Sequence, residues 1–206
     1  MKLPPRVYRY LIRSSVVKNR YVDFIYENYS LEGKEVLDFG CGTGDICSIV
    51  DPDRYIGVDI SEERIKYAKK KYPDYKFKTI EPGETLPIED NSKDYLLGMV
   101  VLHHISDENI EEILQEFERV LKPGGEAICI EPYYEVPRRK IGNRIRNKII
   151  TLLDDGEWMR TKEEYSSLFE NTSLDPEVIT TYDKLVYKTF FAYKTFIRAK
   201  KMNGGK

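Results

Sequence analysis

The chain has 206 residues, is 41% hydrophobic and carries a net charge of −2, which suits one domain with a full core and excludes a disordered polymer. Nowhere do about 18 apolar residues follow one another, so no membrane-crossing helix is expected. The start "MKLPPRVYRYLIRSS" has neither an unbroken apolar stretch nor a small-residue cleavage site, so a cytoplasmic protein is expected.

In chain order, residues 6–28 read as a helix with apolar positions Val7, Tyr10, Leu11, Val17, Tyr21, Phe24 and Ile25. Residues 1–30 are basic, with a net charge of +4. "EVLDF" (35–39) reads as a buried strand, followed by a short helix that must end by Asp51-Pro52. "YIGVD" (55–59) is a second strand, and Ser61 caps a helix over 61–72 with Glu62 and Glu63 in its first turn. "YKFKTI" (75–80) and "YLLGMVVL" (95–102) are the third and fourth strands. An amphipathic helix over 107–121 stops at Pro123-Gly124-Gly125, and "EAICIE" (126–131) is the fifth strand. The segment 31–135 is acidic, at −12, and 136–206 is basic, at +6. Residues 136–160 read as a cap insertion, basic and in part helical, before a capping box of Thr161 and Glu164 opens a helix. "EVITTY" (177–182) and "LVYKTFFAYKTFIRA" (185–199) supply two late strands, with alternating aromatic and basic residues suited to a sheet edge. Apolar strands separated by helices imply an α/β fold with a parallel sheet covered on both faces. Cys41, Cys47 and Cys129 lack CxxC spacing and fit reduced core thiols, so no metal site is expected.

The chemistry gathers behind the first strand, in "VLDFGCGTGD" (36–45). A dinucleotide fingerprint, GxGxxG, lets the helix pack close and rests a pyrophosphate on its N-terminus. Here the glycines are Gly40, Gly42 and Gly44, and Asp45 follows where a diphosphate site tolerates no negative charge. Asp38 adds a second carboxylate just before the turn. These acids favour a ligand carrying positive charge, and S-adenosylmethionine, with its sulfonium and α-ammonium, fits. Asp59, at the end of the second strand and 19 residues after Gly40, stands where an acid accepts both hydroxyls of a ribose.

With these residues in place, the sequence resembles the class I S-adenosylmethionine-dependent methyltransferases, and within them the small-molecule branch of the ubiquinone and menaquinone methyltransferases. "VLDFGCGTGD", "YIGVDIS", "ETLPIEDNSKDYL", "VVLHHI" and "RVLKPGGEAICIEP" carry the likeness, in the family's order, over residues 34–132. The resemblance implies a Rossmann-like seven-stranded sheet whose last strand is antiparallel. It also implies cofactor contacts: Asp38, Gly40, Cys41 and Gly42 at the methionine end, Asp59 and Ile60 at the ribose and adenine, Gly83 and Glu84 beside the adenine, and Val100 beneath. The family's acid before "LP" is replaced by Pro82, leaving Glu81 or backbone and packing to hold the adenine.

Methyl transfer to a hydroxyl also needs a base, and His103 and His104, just after the fourth strand, titrate near neutrality. Glu131, Tyr133, Tyr134 and Arg160 are expected on the acceptor side, with Trp158 as a wall; an arginine there can pair with an acidic group. The stretch "RRKIGNRIRNK" (138–148) reads as a basic amphipathic helix over 138–150, which closes the pocket or, with residues 1–30, contacts an anionic membrane or a phosphorylated substrate. No Asn-Pro-Pro-Tyr-like motif follows strand four, which argues against nucleic acid as partner. The expected function is methylation of a small molecule, anionic or amphiphilic: a lipid, a quinone precursor or a sugar. The alternatives are a non-catalytic cofactor-binding partner subunit and a protein or RNA methyltransferase.

Overall fold

In the computed structural model, residues 15–133, 158–186 and 191–202 are described. The expectations for residues 1–14, for Tyr134 and for the basic helix at 138–150 lie outside them.

The described chain runs α1 (Ser15–Asn28), β1 (Val36–Phe39), β2 (Tyr55–Asp59), α2 (Glu62–Lys71), β3 (Lys76–Thr79), β4 (Lys93–Met99), α3 (Ile110–Val120), β5 (Leu121–Pro132), α4 (Lys162–Ser167), β6 (Leu174–Val186) and β7 (Phe191–Lys201). The seven strands form one sheet in the order β3-β2-β1-β4-β5-β7-β6. Pairs from β3 through β5 are parallel. Strand β7 runs antiparallel to both β5 and β6, so the antiparallel last strand is present as expected. The order reverses at β1, whose neighbours are β2 and β4, and a doubly wound sheet opens a crevice at the carboxyl ends of such strands.

Alternation along the strands builds a core on each face. Leu37, Leu96 and Cys129 pack with Leu114, Phe117 and Tyr165 on one side. Val36, Leu97 and Ile128 pack with Ile25, Tyr55 and Ile65 on the other. The Cys129 thiol is fully buried, and that burial pushes its pKa up, so it behaves as an inert core group. Helix α2 begins as the sequence requires, with Ser61 accepting from the Arg64 N–H, Glu62 and Glu63 at the start and Lys69 to Lys71 at the end. The capping box of α4 is reciprocal: Thr161 N–H donates to Glu164 at 2.7 Å, and Glu164 N–H to the Thr161 hydroxyl at 3.1 Å.

Four element boundaries differ from the sequence reading. Strand β5 starts at Leu121, directly after α3, so Pro123 to Gly125 lie within the strand's span and do not end the helix. The helix expected after β1 is only a three-residue 3₁₀ turn, Cys47–Ile49, because Pro52 and the tight glycine turn leave no room for an α-helix. The apolar run 95–102 leaves the sheet at Met99, since Val100 turns into the left-handed region with φ 60°. The stretch 185–199 is not one strand: Val186 pairs with Phe191, dividing it between antiparallel β6 and β7.

Candidate active site

Two groups of residues meet the crevice where the order reverses. The first follows β1 and β2. Gly40 N–H and Cys41 N–H both donate to the Val58 carbonyl, at 2.8 and 3.0 Å, drawing the glycine turn over the end of β2. Gly40 adopts φ 73°, and a Cβ placed on it would lie 2.5 Å from Val101 Cγ2, so only glycine fits between β1 and the segment after β4. Asp59, buried at the end of β2, closes the arrangement: its carboxylate accepts from Gly42 N–H and Ser61 N–H, each at 2.8 Å. Ile60 follows, 64% exposed beside this carboxylate.

Asp38 lies deeper, 1% exposed, and accepts from the Tyr55 hydroxyl at 2.7 Å. Burial, with Asp38 next, pushes the Tyr55 phenol well up, so it stays a donor to the carboxylate. Asp45 departs from expectation. Its carboxylate takes the Thr43 hydroxyl at 2.8 Å and Lys71 Nζ at 3.3 Å, so an ion pair offsets its charge before any ligand meets it.

Residues 81–84 form a turn closed by Glu84 N–H on the Glu81 carbonyl at 3.3 Å. Pro82 in the second position and Gly83 in the third, at φ 80°, are the residues a type II turn selects. Pro82 is there for backbone shape. From α3, Glu116 accepts Leu86 N–H at 2.7 Å, and Arg119 donates to the Leu86 and Ile88 carbonyls, at 3.0 and 2.8 Å, fastening this loop to the body.

The second group follows β4 and β5. Val100 at φ 60° is a genuine backbone outlier for a β-branched residue, held by its N–H on the Ile130 carbonyl at 2.8 Å. A short 3₁₀ helix, Leu102–His104, comes next. Glu131, fully buried on β5, accepts Val101 N–H at 2.9 Å and Leu102 N–H at 2.8 Å on one oxygen. Its other oxygen lies 2.7 Å from His103 Nδ1. The two histidines part company: His103 is fully buried, whereas His104 is exposed with its ring centroid 4.1 Å from that of His103.

The residues expected on the acceptor side have these contacts. Glu131 does not open to an acceptor, because both oxygens are spent on the turn and on His103. Tyr133 is 4% exposed, part of the core, with Lys162 Nζ 4.5 Å above its ring. Arg160 is 6% exposed and donates to the carbonyls of Leu102, Ile105 and Trp158 and to Asp107, so its fork is not offered to an acidic substrate. Trp158 keeps 37% of its surface exposed and donates its N–H to the His103 carbonyl at 3.0 Å. The partnerships of Glu131 and Arg160 escaped the sequence because they join positions 28 to 58 residues apart. Among the described residues, no cluster of three or more His, Cys, Asp or Glu could hold a metal ion, and no helix is long and apolar enough to cross a membrane.

Comparisons with known proteins bear on this geometry. Residues 37–129 match a family described as a methyltransferase domain. A demethylmenaquinone methyltransferase of Staphylococcus carnosus is 32% identical over 154 residues, covering 71% of this chain and 63% of that protein. Another from Symbiobacterium thermophilum is 34% identical over 119 residues, covering 53% and 47%. The chain thus spans less than two thirds of the length of these curated relatives. A S-adenosylmethionine-dependent methyltransferase structure from Methanosarcina mazei superposes with a TM-score of 0.71 at 21% identity, covering 87% of this chain and 98% of that one. A geranyl diphosphate C-methyltransferase from Streptomyces coelicolor, solved with S-adenosylhomocysteine, superposes with a TM-score of 0.69 at 14% identity, covering 90% and 79%. At those identities the structural likeness is one of fold. Residues 37–129 are thus similar to the methyltransferase-domain family, and the solved methyltransferases share the fold of this sheet.

Proposed function

We propose that the protein is a S-adenosylmethionine-dependent methyltransferase acting on a small molecule whose reacting atom gives up a proton. The observation carrying this reading is the fully buried Glu131 carboxylate, which fastens the turn after β4 and meets His103 Nδ1 at 2.7 Å beside the glycine turn. On the donor side the residues fit the methyl donor. The glycine turn presents backbone without side chains, the Asp59 carboxylate stands at the ribose position, and exposed Ile60 offers an apolar face to a purine. When bound, S-adenosylmethionine supplies an already activated methyl group on a sulfonium. The protein's remaining work is to orient, to exclude water and to move a proton, and orientation alone is worth roughly 7–11 kcal/mol in good cases.

The proton path follows from hydrogen-bond chemistry. Glu131 accepts two backbone N–H groups on one oxygen, and in this reading its other oxygen accepts as well, which makes the ring nitrogen there the donor. This reading gives His103 the Nδ1–H tautomer and leaves Nε2, buried in this structure, as the atom that takes the proton, so the acceptor's reacting atom must come within hydrogen-bond reach of it; a general base of this kind contributes typically 10²–10⁴-fold. His104, exposed next to it, lines the approach.

For the acceptor class, we infer an amphiphilic molecule bearing a hydroxyl or an acidic C–H. Relatives named for demethylmenaquinone and a fold neighbour named for geranyl diphosphate support prenylated or ring-bearing acceptors. The test is a panel of quinols, phenols, isoprenoid diphosphates, lipids and nucleotide sugars, with S-adenosylhomocysteine formation as readout. Turnover on one of them that is lost in His103→Gln supports the reading. Binding of the methyl donor with no turnover across the panel favours the non-catalytic subunit.

A further inference from the structure

The turn that bears both histidines is gripped from two sides by opposite charges. At its leading end, the N–H groups of Val101 and Leu102 donate to Glu131. At its trailing end, the carbonyls of Leu102 and Ile105 accept from Arg160, from Nη1 at 3.2 Å and Nη2 at 3.1 Å. A helical turn carries partial positive charge at its free N–H groups and partial negative charge at its free carbonyls, so an anion at one end and a cation at the other both match it. The carbonyl between them, that of His103, accepts Trp158 N–H, so three carbonyls in the span 102–105 are filled from residues 158–160.

Burying a guanidinium is costly unless its donors are filled. Here Nη1 also takes the Trp158 carbonyl at 3.1 Å, and Asp107, whose side chain is 69% exposed, supplies the carboxylate. A surface carboxylate of that exposure contributes little by itself. The carbonyls of the histidine turn are what the buried fork fits.

We propose that Arg160 is a positioning residue for the histidine pair. Glu131 sets the tautomer of His103; Arg160 sets where the backbone of residues 102–105 lies, and with it where the His104 ring stands against His103. That the two histidines serve proton removal rests on the function proposed above; the positioning itself does not. Lysine cannot replace the fork, because a single ammonium lacks the planar set of donors that spans two carbonyls and a carboxylate.

The chain has two histidines, so a ¹⁵N-imidazole correlation spectrum of the labelled protein contains these two rings and no others. In the wild-type protein His103 is expected as the single Nδ1–H tautomer. Arg160→Gln and Arg160→Lys are expected to move or broaden the signals of both rings, with Arg160→Lys nearer to wild type. Affinity for S-adenosylhomocysteine, followed by calorimetry, is expected to stay within about twofold, since the Asp59 side of the crevice is untouched. Asp107→Ala removes an exposed partner and is expected to shift the same signals by less. Should Arg160→Gln fail to fold, Arg160→Lys decides alone. Imidazole signals that overlay those of the wild type in the folded variants overturn the proposal. A wild-type protein that binds no S-adenosylhomocysteine overturns the functional reading instead, and leaves the imidazole comparison valid.

Discussion

The two halves of the crevice are built by different means. On the donor side, the glycine turn and Asp59 follow consecutive strands and are joined by short bonds from glycine N–H groups, from Gly42 to the Asp59 carboxylate and from Gly40 to the Val58 carbonyl. On the acceptor side, the turn after β4 is strained at Val100 and relies on partners from distant segments, Glu131 on β5 and Arg160 beyond it. A cradle for an invariant cofactor is satisfied by backbone geometry. A site that must hold a reactive side chain in one orientation needs charged groups around it, and these are supplied by long-range contacts.

Substitutions that break one half and spare the other sharpen this contrast, and the largest effect is expected at Glu131. Glu131→Gln can keep both backbone donors on its carbonyl oxygen but turns an N–H₂ donor toward His103 Nδ1, which forces the other tautomer and removes the base at Nε2. Turnover is expected to fall about 10²–10⁴-fold, with S-adenosylhomocysteine affinity nearly unchanged. Parallel loss of affinity would show that the halves are not separable. Gly40→Ala attacks the seam between them. Its Cβ meets Val101 Cγ2 at 2.5 Å from a backbone at φ 73°, so overpacking and left-handed strain together are expected to cost about 2–5 kcal/mol of stability, read as a lower urea midpoint.

Asp59→Ala acts on the donor half alone. It is expected to weaken S-adenosylhomocysteine binding by about 1.5–3 kcal/mol, the range for hydrogen bonds to a charged group. An unchanged calorimetric affinity removes the ribose role. The smallest effect is expected at Glu116, which ties the loop bearing Gly83 to α3. The Arg119 guanidinium, with the Leu86 N–H, holds the Glu116 carboxyl below the ordinary glutamate range, although burial pulls the other way. A depressed carboxyl stabilises the fold above its unfolded pKa, and that stabilisation is lost as pH falls through the folded value. Glu116→Gln is therefore expected to lower stability by about 0.5–1.5 kcal/mol at neutral pH, with the gap to wild type closing in acid. A gap that persists at low pH points to packing.

What the sequence revealed follows the same division. The glycine turn, Asp59 and the alternating strands were legible because each is a local pattern: a left-handed turn needs glycine, and a buried parallel strand needs an apolar run. Pro82 looked like a lost cofactor contact until the turn at 81–84 gave it a backbone role. Asp45 was misjudged, since nothing local foretold Lys71 reaching across from α2. Glu131 and Arg160 were singled out as charged residues near the right strand end, but their direction is decided by folding. A strand's alternation places Glu131 on a face without naming what lies opposite.

The donor half is defined by which adenosine-bearing ligand it accepts, and isothermal titration of the wild-type protein with S-adenosylhomocysteine and, separately, with NAD answers that directly. Saturable heat with S-adenosylhomocysteine, abolished or much weakened in Asp59→Ala, and none with NAD, is the predicted result. Binding of NAD that depends on Asp59, with no heat from S-adenosylhomocysteine, would contradict it.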